Sequence, residues 1–156
     1  MKKWIIVFIT APILFSCSGN KSGDEQAGTD EAVSMVEEEE EAAPSPDGFG
    51  KFKNIELPAT IDATKVASGQ KIVDVKCASC HKLTDEKLVG PGWKGVTTRR
   101  KPAWILNFVT NVEEMLNKDP EAQAQLEICM VRMPNQNLSD EDAYAILEFM
   151  RDNDSK

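Results

Sequence analysis

The sequence holds one histidine, His81, and only four cysteines in 156 residues. A structural zinc site takes four ligands, usually from two Cys-x-x-Cys arms. This chain has one such arm, Cys77 to Cys80, and no further histidine to complete the set. Runs of alternating β-branched residues are also missing, so nothing reads as a sheet. Without a strand ahead of the Cys-x-x-Cys and a βαβ setting around it, a thioredoxin-like thiol pair lacks its context. No basic cluster is larger than Arg99-Arg100-Lys101, so nothing points to a nucleic-acid partner. The longest apolar stretch, Trp4 to Phe15, has 12 residues. That is short of the roughly 20 that span a bilayer as a helix.

What is present is Cys77-Ala78-Ser79-Cys80-His81. Cys-x-x-Cys-His is the attachment signature of a c-type haem, with two thioethers to the vinyl groups and the adjacent imidazole on iron. Residues three apart lie on one face of a helix, so Cys77 and Cys80 can both face the porphyrin edge while His81 turns to the metal. Because His81 is the only imidazole, bis-histidine ligation is excluded. The sixth ligand is a methionine, something rarer, or water.

Residues 1–16 read as an export signal, with Lys2 and Lys3 before the short apolar stretch. It ends in Leu14-Phe15-Ser16-Cys17, which resembles a bacterial lipobox. That resemblance implies a diacylated Cys17 as the first mature residue, and several acyl chains give lasting membrane anchoring. An ordinary signal peptide with a chance cysteine is the alternative. With Cys17 assigned to lipid and Cys77 and Cys80 to haem, Cys129 is left over and no pair remains for a disulfide. Residues 17–48 read as the acylated cysteine plus a disordered acidic tether, with Glu37 to Glu41 unbroken and Pro44-Ser45-Pro46 following. A flexible chain of the 31 residues from 18 to 48 reaches about 30 Å. It serves either as a leash between membrane partners or as a plain lipoprotein spacer. Ten acids and one base make that stretch −9, against −8 for the whole chain. Residues 49–156 carry 15 bases and 16 acids, so the remaining domain is close to neutral.

That domain reads as all-α, with about four helices. The first runs from about Ala63 to Cys80 behind Asp62 or Thr64 as cap. The last runs from about Asp140 to Asp152 behind Ser139, with Asp142 completing a capping box. Its stripe is Ala143, Ile146, Leu147 and Met150. Between them, one helix begins at Pro102 and buries Trp104, Ile105, Phe108, Val109 and Val112. Another runs from Asp119-Pro120 to about Cys129.

In these features the domain resembles the class I cytochromes c. Gly69 lies eight residues before Cys77 and Val73 four before it, matching that family's glycine and apolar positions at the crossing of the first and last helices. Ile146 and Phe149 match the aliphatic–aromatic pair of the last helix. The resemblance implies a fold of helices around one covalently attached haem c. It also implies export, since c-type attachment takes place outside the bacterial cytoplasmic membrane. By the same resemblance the Gly90-Pro91 turn offers the Pro91 carbonyl to the second nitrogen of His81, which would fix its tautomer. Trp93 packs on the haem edge. Arg99 or Arg100, or the Trp104 indole N–H, satisfies a propionate, each arginine being otherwise a solvated charge.

Of six methionines, Met1 leaves with the signal, Met35 lies in the tether, Met150 belongs to the core stripe and Met115 to a helical stretch. Met130 and Met133 remain. The family places its ligand in an extended loop before the last helix, commonly as Met-Pro. Met133-Pro134 fits, because proline biases the residue before it toward extended backbone. Met130 reads as the end of the preceding helix. Cys129 is either a thiolate ligand or, as unpaired cysteines more often are, a small buried hydrophobe.

The function so implied is electron transfer, with His81 and Met133 closing both axial positions and methionine raising the potential. The chain looks like the lipid-anchored monohaem cytochromes of Bacteroidota-type bacteria. The implied setting is the periplasmic face of a membrane. A quinol-oxidising complex would be the donor, and a terminal oxidase or periplasmic reductase, such as one for nitrous oxide, the acceptor. The rivals are a gas-sensing or peroxidase-like haem domain with a displaceable Met133, and a fixed subunit of a larger oxidoreductase. The absence of a second histidine counts against peroxidase chemistry.

Overall fold

The Asp62 carboxylate accepts from the backbone N–H groups of Thr64 and Lys65 at 2.9 and 3.2 Å and so starts the first helix. This is seen in a computed structural model that describes residues 45–156. The export signal, Cys17 and the tether up to residue 44 lie outside the described residues. In chain order the helices are α1 (Ala63–Lys76), α2 (Val96–Arg99), α3 (Pro102–Thr110), α4 (Val112–Lys118), α5 (Pro120–Cys129) and α6 (Asp140–Asp154). The only β feature among the described residues is an isolated antiparallel bridge between His81 and Lys87. The domain is all-α, as expected. It has six helices instead of about four because Asn111, at φ −139° and ψ 56°, breaks the middle stretch in two, and α2 adds a single turn.

α6 starts at a capping box in which Ser139 Oγ accepts from Asp142 N–H and Asp142 accepts from Ser139 N–H, both at 3.1 Å. Its stripe of Ala143, Ile146, Leu147 and Met150 is buried, and α1 packs on it more extensively than any other pair of helices meets. The crossing is close. A Cβ at Gly69 would stand 2.1 Å from the Ala145 carbonyl oxygen and 2.9 Å from Phe149 Cβ. Glycine costs a helix about 1 kcal/mol against alanine. Here that cost is offset by the contact that Val73 and the two helix backbones make.

Ahead of α1, Asp47 and Gly48, read from sequence as the end of the tether, are buried. The cause is Asn107, wholly buried on α3. Its amide donates to the carbonyls of Asp47 at 2.8 Å and Phe52 at 2.9 Å, and its oxygen accepts from Phe52 N–H at 3.0 Å. Nearby, Phe49 N–H donates to the sulfur of Met115, which has no exposed surface. At the other end, the Asp154 carboxylate accepts from Gly95 N–H, Thr97 N–H and Thr97 Oγ1 at 2.6 to 2.8 Å, so the end of α6 caps the start of α2.

Candidate functional site

α1 stops at Lys76, not at Cys80, and Cys77 is its C-cap with φ −120°. The motif therefore forms a turn instead of a continued helix, in which the Cys77 carbonyl accepts from both Cys80 N–H and His81 N–H at 3.0 Å. Residues 82–92 then return on the motif. Gly90 N–H donates to the Cys80 carbonyl at 2.8 Å, and Trp93 N–H to the Lys82 carbonyl at 2.9 Å. This return places the Pro91 carbonyl oxygen 2.9 Å from His81 Nδ1. Nδ1 then carries the hydrogen, and Nε2 keeps its lone pair for a metal. Burial lowers the His81 pKa, with the Pro91 bond opposing it, which favours the neutral ring that ligates. Gly90 lies against that ring so closely that a Cβ there would stand 2.4 Å from Cε1. Trp93, buried, packs on the imidazole with ring centroids 5.2 Å apart and planes tilted by 33°.

His81 and Cys80 line a cavity walled by Val96, Ile105, Phe108 and Leu126 among other apolar side chains. Cys77 is buried in the core and outside the lining. Burial pushes the Cys77 thiol up, the opposite of what a nucleophilic redox cysteine needs. Met133 lines the cavity from the extended segment after α5. Met130 does not line it. It caps α5 with φ +58° and is 83% exposed. Cys129 is half-buried and also outside the lining. Met150, assigned from sequence to the core alone, is buried on α6 and lines the same cavity.

Arg99, Arg100 and Trp104 all line the cavity. Arg99, exposed, donates to the Lys94 carbonyl at 2.6 Å. Arg100 pairs with Glu121 at 2.7 Å and lies over the Trp104 ring, 4.6 Å from its centroid. Trp104 Nε1 is the one buried side-chain nitrogen or oxygen without a hydrogen-bond partner among the described residues. An orphaned buried donor calls for an acceptor that the protein itself does not supply. A haem propionate is such an acceptor, and with the apolar walls, the paired thiols and the pre-oriented imidazole the residues present fit a haem.

Sequence reasoning missed Asn107 and the cavity role of Met150. A signal for the first existed, since Asn107 is the one polar residue in the run Ala103 to Val109. No signal in the sequence separates a methionine that both fills the core and lines a cavity from one that only fills the core.

The cytochrome c family pattern matches residues 66–154. Among solved structures, the chain is similar to a cytochrome c from Rhodothermus marinus. The two are 33% identical over 68% of this chain and 90% of that one, with a TM-score of 0.65. It is also similar to an engineered form of the Rhodothermus marinus cytochrome, 30% identical over 72% of this chain and all of that one, with a TM-score of 0.68. The same engineered protein bound to a carbene intermediate matches at 30% identity over the same shares, with a TM-score of 0.65. No protein of curated function matches. The chain belongs to the cytochrome c family, haem-binding electron carriers with a covalent c-type haem, and its Cys77–His81 motif fits that attachment.

Proposed function

We propose that this protein is a single-electron carrier with His81 and Met133 as axial ligands. In this reading Cys17 holds it by lipid at the periplasmic face of a membrane. It takes electrons from a quinol-oxidising complex and passes them to a terminal oxidase or a periplasmic reductase. The observation that carries the ligand assignment is that His81 and Met133 line one cavity in a chain with no second histidine. The haem supplies reversible one-electron chemistry at its iron. The protein's residues do the rest. Pro91 orients the imidazole, and Trp93 and Gly90 confine it. Apolar side chains exclude water, and Trp104 Nε1, together with Arg99 or Arg100, offers donors to the propionates. Val89 and Val131 are exposed on the cavity rim and mark an edge where a partner can approach. No helix among the described residues is long and apolar enough to cross a membrane.

Spectroscopy of the purified protein tests the assignment. The ferric form should be low-spin with the far-red methionine–iron band, and the reduced form should bind carbon monoxide only weakly, through the small fraction of molecules whose methionine has left the iron. Met133→Ala should remove the band and open the iron to carbon monoxide. Met130→Ala and Met150→Leu should leave both properties unchanged. A high-spin ferric haem in the natural protein would sink the reading, and loss of the band in Met150→Leu alone would move the ligand to α6. Cys17→Ser should move the protein from the membrane fraction to the soluble one.

A second reading is favoured by the engineered relative bound to a carbene intermediate. On this reading Met133 is displaceable and the iron accepts an exogenous carbon ligand. Carbon monoxide binding by the unaltered reduced protein as tight as that of Met133→Ala would favour it over closed electron transfer.

A further inference from the structure

Met133 and Pro134 lie on the cavity wall in the segment between α5 and α6. Among the described residues, no backbone–backbone hydrogen bond involves residues 131–138. Backbone without a ladder must be satisfied and held by side chains or water. Two lysines from the histidine side of the molecule hold this segment and the end of the helix before it. Lys76, the last residue of α1 and the neighbour of Cys77, donates from Nζ to the Gln136 carbonyl at 2.8 Å. Lys87, which bridges with His81 in the returning loop, donates from Nζ to the Ile128 carbonyl at 3.1 Å. Ile128 is in the last turn of α5, where carbonyls have no helical partner. Arg132, within the segment, reaches Glu113 at 3.0 Å and Asn117 at 3.1 Å on α4.

The two lysine acceptors bracket the methionine, one five residues before it and the other three after. Both donors sit close in sequence to the haem motif, Lys76 one residue ahead of Cys77 and Lys87 six past His81. We propose that Lys76 and Lys87 are positioning residues that tie the histidine side of the site to the two flanks of Met133 and keep its sulfur directed into the cavity. This rests on the reading of Met133 as sixth ligand. Electrostatic attraction alone would not single out these two lysines, because Lys82 on the same loop is equally cationic yet pairs only with Glu86.

An exogenous ligand binds only the fraction of molecules whose methionine has swung away, so its apparent affinity reports that fraction. Loss of one solvent-exposed hydrogen bond to a carbonyl should raise the fraction about threefold to tenfold. The experiment is a carbon monoxide titration of the reduced full-length holoprotein. Lys76→Gln and Lys87→Gln should each raise apparent affinity by that factor. Lys82→Gln should match the natural protein, and Lys76→Arg, which keeps a long cationic donor where the glutamine amide is shorter and neutral, should stay near the natural level. Met133→Ala should bind most tightly, and adding Lys76→Gln to it should change nothing, since the lysine acts through the methionine. If Met133→Ala binds tightly but both glutamine variants stay at the natural level, the clamps are refuted and the ligand reading stands. An equal rise for Lys82→Gln, or a further rise in the Met133→Ala background, also refutes the clamps. If Met133→Ala itself does not bind, the ligand reading falls and takes the clamps with it.

Discussion

Replacing Gly69 by alanine should destabilise the domain although alanine is the better helix former. In an open helix the exchange would gain about 1 kcal/mol. Here the new methyl carbon would stand 2.1 Å from the Ala145 carbonyl oxygen, 2.6 Å from its carbon and 2.9 Å from Phe149 Cβ. Two of those three atoms are backbone, so no side-chain rotation relieves them. α1 and α6 must separate by an ångström or so to restore contact distance (about 3.4 Å), and overpacking of this kind typically costs 1–3 kcal/mol and sometimes more. The closeness to backbone puts this site at or beyond the top of that range. The net loss is therefore about 2 kcal/mol or more, roughly 30-fold in the folding constant. Ala67→Gly is the matched control, an exposed site on the same helix where only propensity acts and about 1 kcal/mol should be lost. Urea unfolding of the ferric holoprotein, followed by helical circular dichroism, measures both, with the midpoint falling at unchanged slope. A Gly69→Ala midpoint equal to or above that of the natural protein would refute the close crossing.

Asn107→Ala should leave the Asp47 and Phe52 carbonyls and the Phe52 N–H without partners. A loss of about 3 kcal/mol or more is expected, with hydrogen exchange at the Phe52 amide accelerating beyond the global change. Asp154→Ala removes all three bonds that cap α2 from the end of α6 and should cost about 1–2 kcal/mol in thermal denaturation. Ser139→Ala breaks the capping box of α6 and should cost about 1 kcal/mol by the same measurement.

The N-termini of the first and last helices were the most legible parts of the fold. Asp62 and Ser139 are local signals, in which a short side chain competes for nearby N–H groups whatever the tertiary setting. The far end of α1 was less legible. Its apolar pattern gives no reason to stop at Lys76, and the stop shows only in the backbone, where Cys77 N–H and Ala78 N–H both donate to the Val73 carbonyl at 2.9 Å. The packing of residues 45–54 was hidden for a similar reason. Asp47 and Gly48 read as solvated linker by composition, and only Asn107, more than 50 residues away, turns them inward. Contacts at such separation leave no periodicity for a sequence to display.

The site divides along the same line. Cys77, Cys80 and His81 are adjacent, so the chemistry of the motif could be read without knowing the fold. The Pro91 carbonyl depended on a family resemblance, and its 2.9 Å approach to Nδ1 follows from backbone bonds that fold residues 82–92 onto the motif. The proposed sulfur ligand is the harder case, since a thioether has no recognition chemistry beyond its position. Proline after Met133 favours an extended backbone, and that backbone forfeits the hydrogen-bond ladder that would otherwise hold it. The property that made Met133 stand out in the sequence is therefore the one that leaves its segment in need of side-chain anchors. Met150 shows the converse. It lines the same cavity from a capped, fully packed helix, and it needs no such anchors to stay in place. On the proposed ligation, a methionine that must stay on iron through repeated changes of oxidation state needs its segment held from outside. In this chain the lysines at 76 and 87 are placed to do that, one on each flank of the methionine.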